Sequence, residues 1–143
     1  MILPDVNVLV YAHRADAHDH DAYLTWLEHE INSDAAFGLC DLVLSGFIRV
    51  VTHPRVFKSP SKLSDAMKFA NQLRDQPNCV AVTAGEHHWE IFSRLCATSA
   101  AKGNLVADAH LAAIAIENGC EWITTDGDFG RFRGLKWRHP LHR

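Results

Sequence analysis

No apolar run in this 143-residue sequence approaches the roughly 20 residues that a membrane-spanning helix requires, so no stretch of it reads as a span. Cysteine is sparse and dispersed. Cys40, Cys79, Cys96 and Cys120 never fall within four residues of one another, which excludes the paired spacing of a zinc ribbon and reads as reduced, buried thiols of a cytosolic protein. A cationic excess is also missing: 14 Lys and Arg stand against 17 Asp and Glu, so no overall basic field advertises a nucleic-acid partner. That lack decides little, because a site that holds a cation with carboxylates carries negative charge of its own. The opening residues Met1 to Asp5 show neither the basic leader nor the apolar stretch of a secretory signal, and the expected location is cytoplasmic. Internal repeats and low-complexity tracts are absent, and the length suits one domain with its own core.

Short apolar runs alternate with amphipathic stretches, a pattern that predicts an α/β domain with a mainly parallel sheet. Strands are expected over residues 1–5, Ala36 to Cys40, Cys79 to Val82, Glu121 to Thr125 and Leu135 to Trp137. Helices are expected from Val6 to His13, Asp21 to Asn32, Leu42 to Thr52 with Asp41 as its N-cap, a segment capped by Ser61, Glu86 to Ala100, and Leu105 to Glu117. Apolar stripes support three of them: Tyr23, Trp26, Leu27 and Ile31; Leu63, Met67, Ala70 and Leu73; Trp89, Phe92, Leu95 and Cys96.

Open parallel sheets bind ligands beyond the carboxyl ends of their strands, where the topology switches direction. Asp5 ends the first strand, Asp126 and Asp128 follow the strand through Thr125, and Asp108 lies early in the helix from Leu105. Each has a plain alternative. Asp5 can cap the next helix, Asp108 can favour a helix dipole, and Asp126-Gly127-Asp128 can be an ordinary turn. Convergence on one edge would be different, since crowded carboxylates repel and invite a divalent cation. An all-carboxylate set favours magnesium or manganese over zinc.

Three blocks carry a family resemblance. Pro4-Asp5-Val6-Asn7-Val8-Leu9 resembles the opening Asp-x-Asn-x-Leu block of PIN-domain proteins. Asn104-Leu105-Val106-Ala107-Asp108-Ala109 is similar to the block that supplies their third acid, and Thr124-Thr125-Asp126-Gly127-Asp128-Phe129 to their closing block. The compact length resembles the VapC toxins among them. The resemblance implies a single PIN domain over 1–143, a three-layer α/β/α fold around a central, mainly parallel sheet, and metal-dependent RNA cleavage. The implied cofactor is Mg2+, with Mn2+ as an alternative. The implied partners are an RNA substrate, a VapB-type antitoxin and a second copy in a homodimer. Asp5, Asp108 and Asp126 match the metal-binding acids, Asp128 a fourth catalytic acid, and Asn7 and Thr124 supporting positions. The products implied are a 5′-phosphate and a 3′-hydroxyl.

One position departs from the family. Within Val43-Leu44-Ser45-Gly46-Phe47, Gly46 stands where the resemblance expects a glutamate. Glycine inside a helix costs about 1 kcal/mol relative to alanine. Either Asp41 or water replaces the acid in a working enzyme, or the chain is a weakened RNA- or protein-binding module. A phosphatase with Asp5 as nucleophile is the third possibility. It would want an acid two residues on, where Asn7 stands.

The last segment carries Arg131, Arg133, Lys136, Arg138 and Arg143 with no acid after Asp128, and the first four are candidate RNA contacts. A second basic run comprises His53, Arg55, Lys58 and Lys62. Phe129, Phe132 and Trp137 either stack on bases or fill the core. His110 lies roughly 200° around a helix from Asp108 and should not share its face.

Overall fold

The computed structural model describes residues 1–142, so Arg143 lies outside the described residues. Five short strands, β1 (Ile2–Pro4), β2 (Phe37–Leu39), β3 (Cys79–Ala81), β4 (Glu121–Ile123) and β5 (Trp137–Arg138), form one sheet in the order β3-β2-β1-β4-β5. Every pairing is parallel. Six helices connect them: α1 (Val6–His13), α2 (His20–Asn32), α3 (Asp41–Val51), α4 (Leu63–Arg74), α5 (His88–Ser99) and α6 (Asn104–Glu117). They flank the sheet in the expected α/β/α arrangement, and the sheet is parallel throughout rather than mainly so.

The central strands have no solvated face, which is why Leu3, Phe37, Trp122 and Ile123 are apolar and essentially unexposed. Burial of such side chains contributes roughly 1.5–3 kcal/mol each. β1 pairs with β4 through Ile2–Glu121, Leu3–Trp122 and Pro4–Ile123, but with β2 only through Ile2–Phe37. Pro4 has no N–H to give, and it stands at the end of the strand, directly before Asp5.

Several caps differ from the sequence expectation. Asp41 is the first residue of α3 rather than its cap. Cys40 holds the cap position without a side-chain bond. Lys62, not Ser61, precedes α4, because the Ser61 hydroxyl is engaged by His13 and Arg14 instead. The buried face of α4 is Ala66, Ala70 and Leu73, while Leu63 and Met67 are exposed. Trp89, expected on the apolar face of α5, is exposed as well. The last strand begins at Trp137, two residues later than expected.

Candidate active site

The sheet order places the switch in direction between β1 and β4. Connections from β1 run outward through β2 to β3, whereas β4 returns to the other side of β1. Asp5 and Asp126 follow these two neighbouring strands, so the topology delivers both to the same crevice. Asp108 arrives from α6. That helix starts after Gly103, whose φ of +58° permits the sharp turn from α5. Asp108 is the fifth residue of α6 and lies beyond its first turn, which contains no acid. A simple dipole role is therefore poorly placed.

A chain of hydrogen bonds fixes the carboxylates. The Asp5 N–H donates to the Ile123 carbonyl at 2.8 Å, extending the β1–β4 ladder by one step. Its Oδ1 accepts from the Val6 N–H at 2.6 Å, capping α1, and its Oδ2 accepts from the Thr124 hydroxyl at 2.6 Å. The same hydroxyl accepts from the Asp126 N–H at 3.1 Å. Asp126 Oδ1 in turn accepts from the Asp128 N–H at 2.9 Å, opening a short 3-10 turn over Gly127–Arg131. Asp5 and Asp126 thus do serve as cap and turn residues, and the same bonds aim them. Thr124, wholly buried, joins both acids through one oxygen.

Electrostatics shows that the acids feel one another. The Asp108 carboxyl is pushed up to about 6, first by burial, then by the negative charges of Asp126, Asp5 and Asp128. Burial also raises Asp5, against the lowering effect of the Thr124 and Val6 hydrogen bonds, and Asp126 adds to the rise. Among the described residues, no three His, Cys, Asp or Glu side chains lie close enough to enclose an ion by themselves. The donor chemistry nevertheless fits a hard dication that keeps part of its water shell: every donor is a carboxylate oxygen, and their repulsion is what a cation would relieve.

The remaining residues named from sequence separate into three groups. Asn7 is exposed, and no side-chain hydrogen bond ties it to the acids among the described residues. At Gly46, where the resemblance implies a glutamate, an added Cβ would meet Val6 Cγ2 at 3.0 Å. Asp41 does not turn inward to replace it. It is well exposed and faces Arg74 at 3.7 Å. Phe129 and Phe132 are core residues, packed ring against ring, and Trp137 is half-buried.

The basic residues are scattered. Arg131 lies 3.9 Å from Asp128, the one candidate RNA contact seen next to an acid of the site. Arg133 and Lys136 are exposed, while Arg138 is spent on Glu121 at 2.9 Å. The loop with Arg55 and Lys58 lies against the C-terminal end of α1, where His13 meets Ser61 at 3.0 Å and Arg14 donates to the Ser59 carbonyl at 2.8 Å. Asp5 caps the other end, about 12 Å away along an eight-residue helix. His110 is turned from Asp108 as its helical angle requires. It packs on His88 and Phe92, a nest joining α5 to α6 that no spacing rule had signalled.

The PIN domain profile matches residues 2–135. Ribonuclease VapC43 of Mycobacterium tuberculosis is 50% identical over 141 residues, spanning 99% of this chain and 96% of its own length. Ribonuclease VapC25 of the same organism is 36% identical over 98% of this chain and 99% of its own. The crystal structure of VapBC2 from Rickettsia felis bound to a promoter DNA fragment superposes with a TM-score of 0.70 at 19% identity, over 97% of this chain and 98% of that one. An all-parallel sheet with acids at its switch point, and relatives of this closeness along almost the entire length, lead to one conclusion: the chain belongs to the PIN-domain family, among the VapC proteins.

Proposed function

We propose that the protein is a metal-dependent endoribonuclease, the toxin of a type II toxin–antitoxin pair, held in check by a VapB-type antitoxin and working as a homodimer in the cytoplasm. The observation that carries this reading is that Asp5 and Asp126 follow neighbouring strands at the switch point of the sheet, where they and Asp128 raise the Asp108 carboxyl. Naming of the relatives as ribonucleases supports RNA as the substrate.

Asp5, Asp108 and Asp126 would hold Mg2+ or Mn2+, with Asp128 alongside. The cation, once bound, supplies charge stabilisation at the scissile phosphate and an acidified water for hydrolysis. The chain does the rest. The Thr124 hydroxyl and the Val6 N–H hold both Asp5 oxygens at fixed positions, so little reorganisation is needed when a phosphodiester arrives. The partly exposed Asp108 carries the most strongly raised carboxyl of the set and gains most from a cation. Arg131, beside Asp128, is placed to meet a phosphate.

The test is incubation of the purified protein with total RNA in Mg2+, in Mn2+ and in chelator. Discrete metal-dependent fragments, lost in Asp5→Ala and Asp108→Ala, are expected. RNA retention without cleavage in any metal would select the binding-module alternative that Gly46 suggested. An Asp108→Ala protein that cuts like the parent would remove the site.

A further inference from the structure

We propose that Val6 and Gly46 form a matched pair that positions Asp5 for cation binding. The inference rests on the metal-dependent reading above. Val6 opens α1 directly after Asp5, and its N–H is the donor to Asp5 Oδ1 at 2.6 Å. The side chain is β-branched and stiff about χ1, so its methyl groups have little freedom to rotate away from a neighbour. Gly46 faces it from the middle of α3. A Cβ there would lie 3.0 Å from Val6 Cγ2 and 4.0 Å from Val6 Cγ1. Relaxed carbon contacts sit near 3.5–4.0 Å, so a Cβ at position 46 requires Val6 to give way by a few tenths of an ångström.

Asp5 is not free to follow that push. Its N–H is held by the Ile123 carbonyl at 2.8 Å and its Oδ2 by Thr124 at 2.6 Å, and it is almost completely buried. The displacement falls instead on the Val6–Asp5 bond, the one hydrogen bond to Oδ1 among the described residues. Val6 and Gly46 also share the wall of a groove of about 670 Å³ with Ala107, the chain neighbour of Asp108. The groove that their contact lines is thus bordered by the segments that carry two of the carboxylates. Gly46 is thus a notch cut for Val6, and both are positioning residues acting through Asp5.

The experiment titrates Mn2+ into RNA-free protein and follows free Mn2+ by its electron paramagnetic resonance signal. Melting curves in chelator are recorded alongside. Gly46→Ala should keep a cooperative melt yet weaken Mn2+ binding about tenfold, the scale on which orienting residues affect metal sites. Val6→Thr, which keeps the branched shape, should bind like the parent. Val6→Ala alone, which loosens the packing that holds its N–H, should also weaken binding, and the double variant Val6→Ala/Gly46→Ala, which makes room for the added methyl, should recover affinity rather than add the two losses. Equal Mn2+ affinity in Gly46→Ala and parent overturns the pairing, as does simple additivity in the double variant. A parent that binds no Mn2+ overturns the metal-dependent reading itself and takes the pairing with it.

Discussion

At the scale of single residues, the site is a problem in charge and hydrogen bonding. Asp108 stands at about 6 in the folded chain against an ordinary 3.8. Between those values the folded state binds more protons than the unfolded one, so this carboxylate lowers stability as pH rises through that window. Removing the charge with Asp108→Asn should therefore stabilise metal-free protein at pH 7.5 and lose that advantage by pH 4. At this partly exposed position solvent screening reduces the effect to about 1 kcal/mol. Urea unfolding of both proteins at the two pH values checks it. The comparison cancels His13, His110 and His139, which burial lowers and which act in the opposite direction in both proteins. Thr124 gives a second prediction. Thr124→Val leaves Asp5 Oδ2 and the Asp126 N–H without their partner in a buried place, at a cost of about 1–3 kcal/mol. RNA cleavage should fall with it, whereas Thr124→Ser, which keeps the hydroxyl, should retain most of both. The acids and Thr124 could be named from the chain because their blocks are local. The contact of Val6 with Gly46 could not, since it joins residues forty positions apart.

At the scale of elements, periodicity located the helices well, but their faces and caps were decided by neighbours. Trp89 has the right spacing for the core side of α5 and yet is exposed, and Leu63 and Met67 likewise on α4. Ser61 was expected to cap α4, and its hydroxyl serves the end of α1 instead. Arg14 organises that region. Its guanidinium binds Asp16 at 2.6 Å and 2.9 Å, donates to the Ser59 carbonyl and Ser61 Oγ, and lies 4.2 Å from the Phe57 ring centre. Arg14→Ala should cost about 1.5–3 kcal/mol, the scale of a lost charged hydrogen-bond group. It should also expose the loop through Lys58 to trypsin before global unfolding. Limited proteolysis set against thermal melting separates the two effects. RNA cleavage should be much less affected, because this loop lies a helix length from Asp5.

At the scale of the whole molecule, the apolar core and the acidic crevice are separate. Leu3, Trp122 and Ile123 are buried irrespective of any cation, so chelation should leave the far-ultraviolet circular dichroism and a cooperative melt intact. Added Mn2+ should then raise the melting temperature, by the equivalent of about 2.7 kcal/mol at a hundredfold excess over its dissociation constant. A chain that loses its fold in chelator would make the metal structural rather than catalytic. The distribution of charge also explains why a net charge of −3 says little about the substrate. The acids are gathered at one edge, while Arg138 and Arg74 are occupied by Glu121 and Asp41.

The sequence by itself determined the alternation of strands and helices, the parallel sheet and the identity of Asp5, Asp108, Asp126 and Asp128 as the acids of interest, because apolar periodicity and short motifs are properties of neighbouring residues. Tertiary structure alone decided that β4 returns beside β1, so that these carboxylates come within electrostatic reach of one another and push Asp108 upward. It also decided that position 46 faces Val6 and that Asp41 turns to Arg74. Coulomb repulsion and close packing depend on distance in space, and across these loops the chain order does not specify that distance.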